Sequence, residues 1–372
     1  VVALLLAQHF EVVSDCGGPL APPVNDVPAT QLALGGAFGC STDDGIVTCW
    51  GANDVGQLGR GTTSAFEPRG RVTLDEPIAQ LTAGQTSACA RTVKGRVFCW
   101  GDNAHAQLGR ADPLISSTPL EVSVPVPVAK LAMHADYALA LGSDGRLFGW
   151  GNDSEGVLGR GDENPMAWPV PRPVLRAAFD LRFKDVSAGQ GHACGIDLDD
   201  ALWCWGRNTN QNLGTASMEM QLRAPVRVLD GVSRVVAGAF ATCALQSGAL
   251  WCWGDVPLDE QGTVFRSATP RELDFGGATV RAVDHQWFHF CAVATDGRAF
   301  CWGRGAEGQL GIGTTTPEVS PRSLEVEVRE IATGFFFSCA RRLDGSVACT
   351  GENAQGQLGL GDTDRRATLT AQ

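Results

Sequence analysis

Thirteen of the 372 residues are cysteine, and twelve of them fall into six pairs spaced nine or ten apart: Cys40 and Cys49, Cys89 and Cys99, Cys194 and Cys204, Cys243 and Cys252, Cys291 and Cys301, Cys339 and Cys349. Metal ligation and disulfide bonding are the two chemistries that such spacing could serve. A structural zinc needs about four clustered ligands; one pair per segment leaves each site two short, so no metal is expected. Each pair instead brackets a hairpin. For Cys40/Cys49 and Cys243/Cys252 the midpoint falls at Asp44-Gly45 and Ser247-Gly248, as a two-residue turn requires. The ten-residue spacings centre on Lys94, Asp199, Asp296 and Asp344, three of them followed by Gly, which suits a three-residue loop with a left-handed last member. The two members of each pair then lie opposite one another on neighbouring strands, within disulfide reach. A third segment between residues 139 and 149 has Leu139 and Gly149 at the two cysteine positions. Buried free thiols are the competing reading, but they give no reason for both members to be missing together, whereas a covalent bond does. Each small staple is worth about 2–3 kcal/mol. Cys16 has no hairpin partner and is either free or paired outside this stretch.

Other reactive types do not assemble. The six histidines, His9, His105, His134, His192, His285 and His289, are scattered, with no repeated carboxylate or nucleophile beside them. His285 and His289 are four apart, a spacing that shares a face on a helix but not on a strand. His192 and His289 each stand two before the first cysteine of a pair, and structural hydrogen bonding is their expected role. The GQLG-type stretches carry neither the Lys-Ser/Thr ending of a P-loop nor a strand-to-helix setting. Arg160-Gly161-Asp162 is matched in place by Arg60-Gly61-Thr62 and reads as a turn, and Asn152-Asp153-Ser154 is a single glycosylation-type tripeptide. No catalytic residues and no cofactor are expected.

The elements that carry these pairs recur. The middle residue of Cys-Trp-Gly or its variants stands at Trp50, Trp100, Trp150, Trp205, Trp253, Trp302 and Thr350, in steps of 50, 50, 55, 48, 49 and 48 residues. Seven copies at so even a period mark a repeat architecture. Within a copy, IAQLTAG, SACART and VFCWG (78–101) are short apolar segments parted by Gly-containing turns, and a fourth stretch follows a proline, as in PRGRVTL at 68–74. Forty-six Gly and nineteen Pro fit the same picture. Four strands in each of seven units predict an all-β fold, a seven-bladed β-propeller of four-stranded blades. The recurring tryptophans are assigned to packing between blades.

The succession AG, CA, DG, V-x-CWG-x-N-x-x-GQLG-x-G resembles the regulator of chromosome condensation repeat over about residues 28 to 372. The resemblance implies the same seven-bladed fold. It does not imply one activity, because the family includes a nucleotide exchanger for a small GTPase, a plant ultraviolet photoreceptor and a secreted bacterial inhibitor of β-lactamases. The last is similar in carrying aromatics on its loop face. One domain is expected over 28–372, preceded by an N-terminal segment, 1–27, whose VVALLLAQHF start reads either as the end of a secretory signal or as a ring-closing strand.

Charge and cysteine chemistry narrow the setting. With 29 Lys+Arg against 41 Asp+Glu the net charge is -12, which opposes unspecific nucleic-acid binding. No apolar run is long enough to span a bilayer. Persistent disulfides imply an oxidising compartment, so a secreted or periplasmic protein is expected; the resemblance to secreted bacterial members of the family implies a bacterial one, and a monomer is expected. Its function then lies in loops. The residues just before the first cysteine of each hairpin differ most between units, reading Gly36-Ala37-Phe38, Gln85-Thr86-Ser87, Ala135-Asp136-Tyr137, Gln190-Gly191-His192, Ala239-Phe240-Ala241, Trp287-Phe288-His289 and Phe335-Phe336-Phe337. Aromatics concentrate in units five, six, seven and one, which are consecutive around a closed ring. Phe38, Phe240, Trp287, Phe288, Phe335, Phe336 and Phe337 are therefore the candidate contacts of a protein partner. Burial of these rings between blades is the alternative. Two other functions stay open: a guanine-nucleotide exchange factor, for which a longer fourth unit around 170–183 is a faint sign, and a carbohydrate-active propeller with carboxylates in its central channel.

Overall fold

The computed structural model describes residues 30–159, 168–173, 181–257 and 264–372. Cys16, the segment 1–27 and Arg160-Gly161-Asp162 lie outside the described residues, as do residues 174–180 of the longer stretch around 170–183. The described residues hold 27 strands and no helix. The first blade is β1 (Thr30–Leu34), β2 (Phe38–Asp43), β3 (Ile46–Asn53) and β4 (Ser64–Arg71); the second is β5 (Ile78–Ala83), β6 (Ser87–Thr92), β7 (Val97–Asp102) and β8 (Ile115–Val122). β9 (Val128–His134), β10 (Tyr137–Gly142), β11 (Leu147–Gly151) and β12 (Trp168–Pro173) form the third, and β13 (Phe183–Ala188), β14 (His192–Asp197), β15 (Leu202–Arg207) and β16 (Gln221–Leu229) the fourth. The fifth comprises β17 (Val232–Ala237), β18 (Ala241–Gln246), β19 (Ala249–Pro257) and β20 (Val264–Leu273). The sixth starts with β21 (Val280–His285), β22 (His289–Ala294) and β23 (Arg298–Gly303); the seventh ends with β25 (Phe337–Arg342), β26 (Val347–Gly351) and β27 (Arg366–Ala371). A single 16-residue strand, β24 (Glu318–Thr333), is both the outer strand of the sixth blade and the inner strand of the seventh.

Every blade is an antiparallel sheet in chain order. The first strands of successive blades touch in sequence and β1 touches β24, so the ring closes. Seven apolar clusters lie between neighbouring blades, the last joining Leu32, Leu34 and Trp50 to Phe337, Cys339 and Leu358. All-β propeller architecture thus follows from seven sheets, each apolar on both faces and burying both against its neighbours.

The turns follow the hairpin reading. Asp44 and Gly45 have φ of 45° and 77°, Ser247 and Gly248 of 51° and 83°, the pattern of a type I′ turn. In the ten-residue spacings the left-handed last member is Gly95, Asp200, Gly297 or Gly345. All six disulfides are formed, between residues directly opposite in the ladder, with Cα atoms 4.1 Å apart. Leu139 stands opposite Gly149 in the same register. The fourth strand of the first unit begins at Ser64, earlier than the expected 68–74, and its register shifts between the partners of Cys49 and Gly51. Pro68 therefore sits at a bulge on an outer strand, where its missing N–H is harmless.

Tryptophan ties five of the blades to the one before, while the Trp302 indole N–H of the sixth has no partner among the described residues. The indole N–H of Trp50 donates to the carbonyl of Gln357, that of Trp100 to Gln57 and that of Trp150 to Gln107, each at 2.9 Å. Trp205 and Trp253 reach Val157 and Asn212 in the same way. Where the seventh unit has Thr350, its hydroxyl donates to Gly308 at 2.8 Å. The GQLG-type loops that supply these carbonyls are held by the motif's Asn or Asp: Asn53, Asn103, Asp153, Asn208 and Asn353 accept from the backbone N–H of the loop Leu.

Candidate aromatic binding face

The loops between the first and second strands all emerge at one end of the ring. Their last residue is fixed by the third strand: the carbonyls of Ala37, Thr86, Asp136, Gly191, Phe240, Phe288 and Phe336 accept from the N–H just after the Gly of each Trp-Gly or Thr-Gly pair. That Gly has φ near 100°, and a Cβ on Gly101 would stand 2.4 Å from the Thr86 carbonyl. Only glycine allows this approach. The backbone of each loop is thus pinned, and its side chains are presented rather than left to wander.

On blades five to seven these side chains are large rings. Phe240 stacks on Phe288 at 4.8 Å between centroids, and Trp287 meets Phe240 edge-on at 5.8 Å. Trp287 also lies 5.1 Å from Phe335 and 5.7 Å from Phe336. All five rings are half-buried, and Trp287 is their common centre. Its indole N–H is shielded and has no partner among the described residues. The rim is ion-paired: the Arg304 guanidinium lies over Phe336 at 5.3 Å and 3.6 Å from Glu307, while Arg365 bridges Glu307 and Glu352 at 2.7 and 2.8 Å.

Two of the seven expected aromatic contacts do not belong to this face. Phe38 and Phe337 are fully buried. Each opens a second strand, and alternation turns it back into the blade, where its ring fills the space above Gly35 or Gly334. Phe335 and Phe336 precede the strand, so the Phe335-Phe336-Phe337 run divides into two loop residues and one core residue.

The two histidines that precede the cysteine pairs are structural. His192 bonds Thr242 of the next blade at 2.8 Å and His289 bonds Ser338 at 3.0 Å. Burial holds both far below the usual histidine range, His289 at about 3, so they stay neutral. His134 and His285, buried on the channel wall, are likewise pushed down to about 4 by burial. Among the described residues no group of three His, Cys, Asp or Glu could hold a metal ion.

The central channel, about 890 Å³, is lined by the first strands, with Asp43, Asp44 and Asp344 from hairpin turns on its wall, and its first strands carry two buried carboxylates, Asp284 and Glu330. Asp284 accepts from the N–H and hydroxyl of Thr333 at 2.7 and 2.9 Å. Glu330 accepts from the N–H of Leu32 at 3.1 Å. Both therefore serve the edge of the next blade. They belong to a set: Gln31 accepts from Leu81 N–H, Gln80 from Leu131 N–H and Ser187 from Ala237 N–H. The innermost strand of a blade has an unpaired edge, and these side chains satisfy it. Three of them, Gln31, Gln80 and Glu330, stand directly before the inner-strand Leu or Ile, whereas Ser187 and Asp284 stand directly after the inner-strand Val, so no single position marks the set.

Comparison with known proteins agrees with this architecture. A family model described as the RCC1-like domain matches residues 13–329, and one for the regulator of chromosome condensation (RCC1) repeat matches 328–357. Among curated proteins, the chain is 28% identical to the ultraviolet-B receptor UVR8 of Arabidopsis thaliana over 158 residues, 41% of this chain and 36% of the receptor. It is 30% identical to the human E3 ubiquitin-protein ligase HERC2 over 151 residues, 38% of this chain and 3% of the ligase. The chain thus spans about a third of the first relative and a small part of the second. Among solved structures, Prp20p of Saccharomyces cerevisiae superposes with a TM-score of 0.78 at 21% identity, covering 91% of this chain and 87% of that one. Human WBSCR16 gives 0.72 at 20%, covering 82% and 83%. At these identities the structures speak for the fold.

Proposed function

The chain belongs to the RCC1-like domain family, and from that premise we propose that it is a non-enzymatic binding scaffold whose aromatic face on blades five to seven captures a protein partner. The observation that carries this reading is the five-ring cluster of Phe240, Trp287, Phe288, Phe335 and Phe336, held half-exposed by loops whose backbone is fixed. Large aromatics on a rigid support provide most of the energy in protein interfaces at little conformational cost. The buried hydrogen bonds of His192 and His289 and the edge bonds of Asp284 and Glu330 give these groups structural work.

Six disulfides support an oxidising compartment, hence secretion or export to a periplasm. We take residues 28–372 as one domain and the working unit as a monomer. Prp20p has binding properties to Gsp1p and histones; for this chain a GTPase partner is the second reading, and it requires reduced thiols and a cytosolic setting. Intact mass after alkylation without reduction separates the two: at most one blocked cysteine supports the exported scaffold, and thirteen blocked cysteines overturn it. For the face itself, Trp287→Ala and Phe336→Ala should melt within a few degrees of the wild type yet lose the partner recovered by crosslinking from the source's own exported proteins. Equal recovery by wild type and variants refutes the aromatic face.

A further inference from the structure

The seam between the seventh and first blades differs from the other six. Blades one to seven follow one another along the chain, so each other seam is also crossed by the backbone. At the last seam the described residues meet only through side chains and packing: Glu330 to Leu32, Arg341 to the carbonyl of Thr42 at 3.2 Å, Trp50 to Gln357, and the apolar cluster around Leu34 and Phe337.

The edge bond at this seam is incomplete in an informative way. At the seam between blades two and three, Gln80 makes two bonds to one residue: its Oε1 accepts from Leu131 N–H and its Nε2 donates to the Leu131 carbonyl, both at 2.8 Å. Glu330 occupies the same position of its strand. Its Oε1 accepts from Leu32 N–H, and its Oε2, in the place of the Gln80 donor, is buried with no partner. An ionised Oε2 there would set a buried negative charge where the repeat requires a donor. We propose that Glu330 carries a proton on Oε2 in the closed ring and donates it to the carbonyl of Leu32, making the last seam a latch that binds one proton on closing and releases it on opening.

The surroundings are consistent with a neutral acid. Burial pushes the Glu330 carboxyl up to about 7, against the lowering effect of the Leu32 N–H, of Arg341 on β25 and of Arg234 on β17, and with the carboxylate of Asp284 on β21 reinforcing the rise. Asp43 and Asp44 of the first blade and Asp344 of the β25–β26 turn add negative charge to the channel wall, and Arg329, next in the chain, adds positive charge. A carboxyl whose folded value is raised contributes stability that is complete below its unfolded value, near 4.5, and is lost as pH rises through about 7. The latch therefore loosens toward alkaline pH.

The test compares wild type with Glu330→Gln, which supplies the amide donor found at Gln80 and cannot ionise. Carbon-13 NMR of glutamate carboxyls should show one group titrating near 7 that is absent from the variant. Between pH 5 and 8.5, urea unfolding should show the wild-type folding constant falling on the order of 10²-fold relative to that of Glu330→Gln. The reciprocal variant Gln80→Glu should acquire the same pH dependence at the second seam, and it serves should Glu330→Gln fail to fold. A Glu330 titration in the ordinary carboxylate range, parallel pH curves for wild type and Glu330→Gln, or a pH-indifferent Gln80→Glu overturns the latch.

Discussion

A seventh staple in the third blade should form on demand. Leu139 stands directly opposite Gly149, as Cys89 does opposite Cys99, and the cysteine pairs of the other six blades share a Cα separation of 4.1 Å. That separation marks the close, non-hydrogen-bonded pairs of an antiparallel ladder. Changing Leu139→Cys together with Gly149→Cys should therefore close a loop of 11 residues, 139 to 149 inclusive. Chain entropy assigns such a loop about 2.8 kcal/mol. Leu139 is fully buried, and trimming it to cysteine forfeits about 2 kcal/mol of burial and packing. The oxidised double variant should lie within about 1 kcal/mol of wild type. The informative control is Leu139→Ala with Gly149→Ala, which leaves a similar void without the bond. Against it the staple is worth about 3 kcal/mol, or about 4 °C in Tm for a 372-residue chain with an unfolding entropy of about 2.1 cal/mol/K per residue. Non-reducing mass spectrometry after alkylation counts free thiols, and differential scanning calorimetry gives the Tm values. Two extra alkylated thiols, or a double-cysteine Tm no higher than the double-alanine Tm, would refute the register argument.

Trp100→Phe keeps most of the ring but strands the Gln57 carbonyl in a buried site; a loss of about 1–3 kcal/mol is expected by urea unfolding, and a loss under about 0.5 kcal/mol shows that the indole bond is dispensable. The buried histidines predict acid sensitivity. Their folded values, about 4 for His134 and His285 and about 3 for His289, lie below the ordinary 6.5, so the unfolded chain takes up protons first and stability present above 6.5 is lost as pH falls through these values. Tm should fall progressively as pH drops below about 6.5 toward 3, and His289→Gln, read on the same pH series by calorimetry, should show a shallower drop.

The repeat, the hairpins and the disulfides were legible because each leaves a mark at a fixed interval: Trp-Gly near every fiftieth residue, cysteines nine or ten apart, and Asp-Gly or Ser-Gly where φ must be positive. The aromatic face was only partly legible. Spacing brought Phe240, Trp287, Phe288, Phe335 and Phe336 to one end of the ring, but separating them from Phe38 and Phe337 needed the residue at which loop becomes strand, and one position decides which way a side chain points. The run 318–333 holds Pro321 but no glycine, so nothing in it announced that β24 passes unbroken from the sixth blade into the seventh. The edge-bonding residues were hidden for a different reason. Gln31, Gln80, Ser187, Asp284 and Glu330 share a task but not a side-chain type, since any short acceptor can satisfy a free N–H.

The contiguity of each blade has a further consequence. No described blade takes a strand from elsewhere in the chain, so the order in which the ring is threaded is a matter of where the gene opens. New termini could be cut into the link between β4 and β5, residues 72–77, with a joint of similar length bringing Gln372 to Thr30, and the same ring should re-form from a differently ordered message. The strand β24 forbids that cut between the sixth and seventh blades, because there one uninterrupted strand serves two sheets. The ring is thus a circular permutation series with six open positions and one closed, and a permutant library would recover every start except that one.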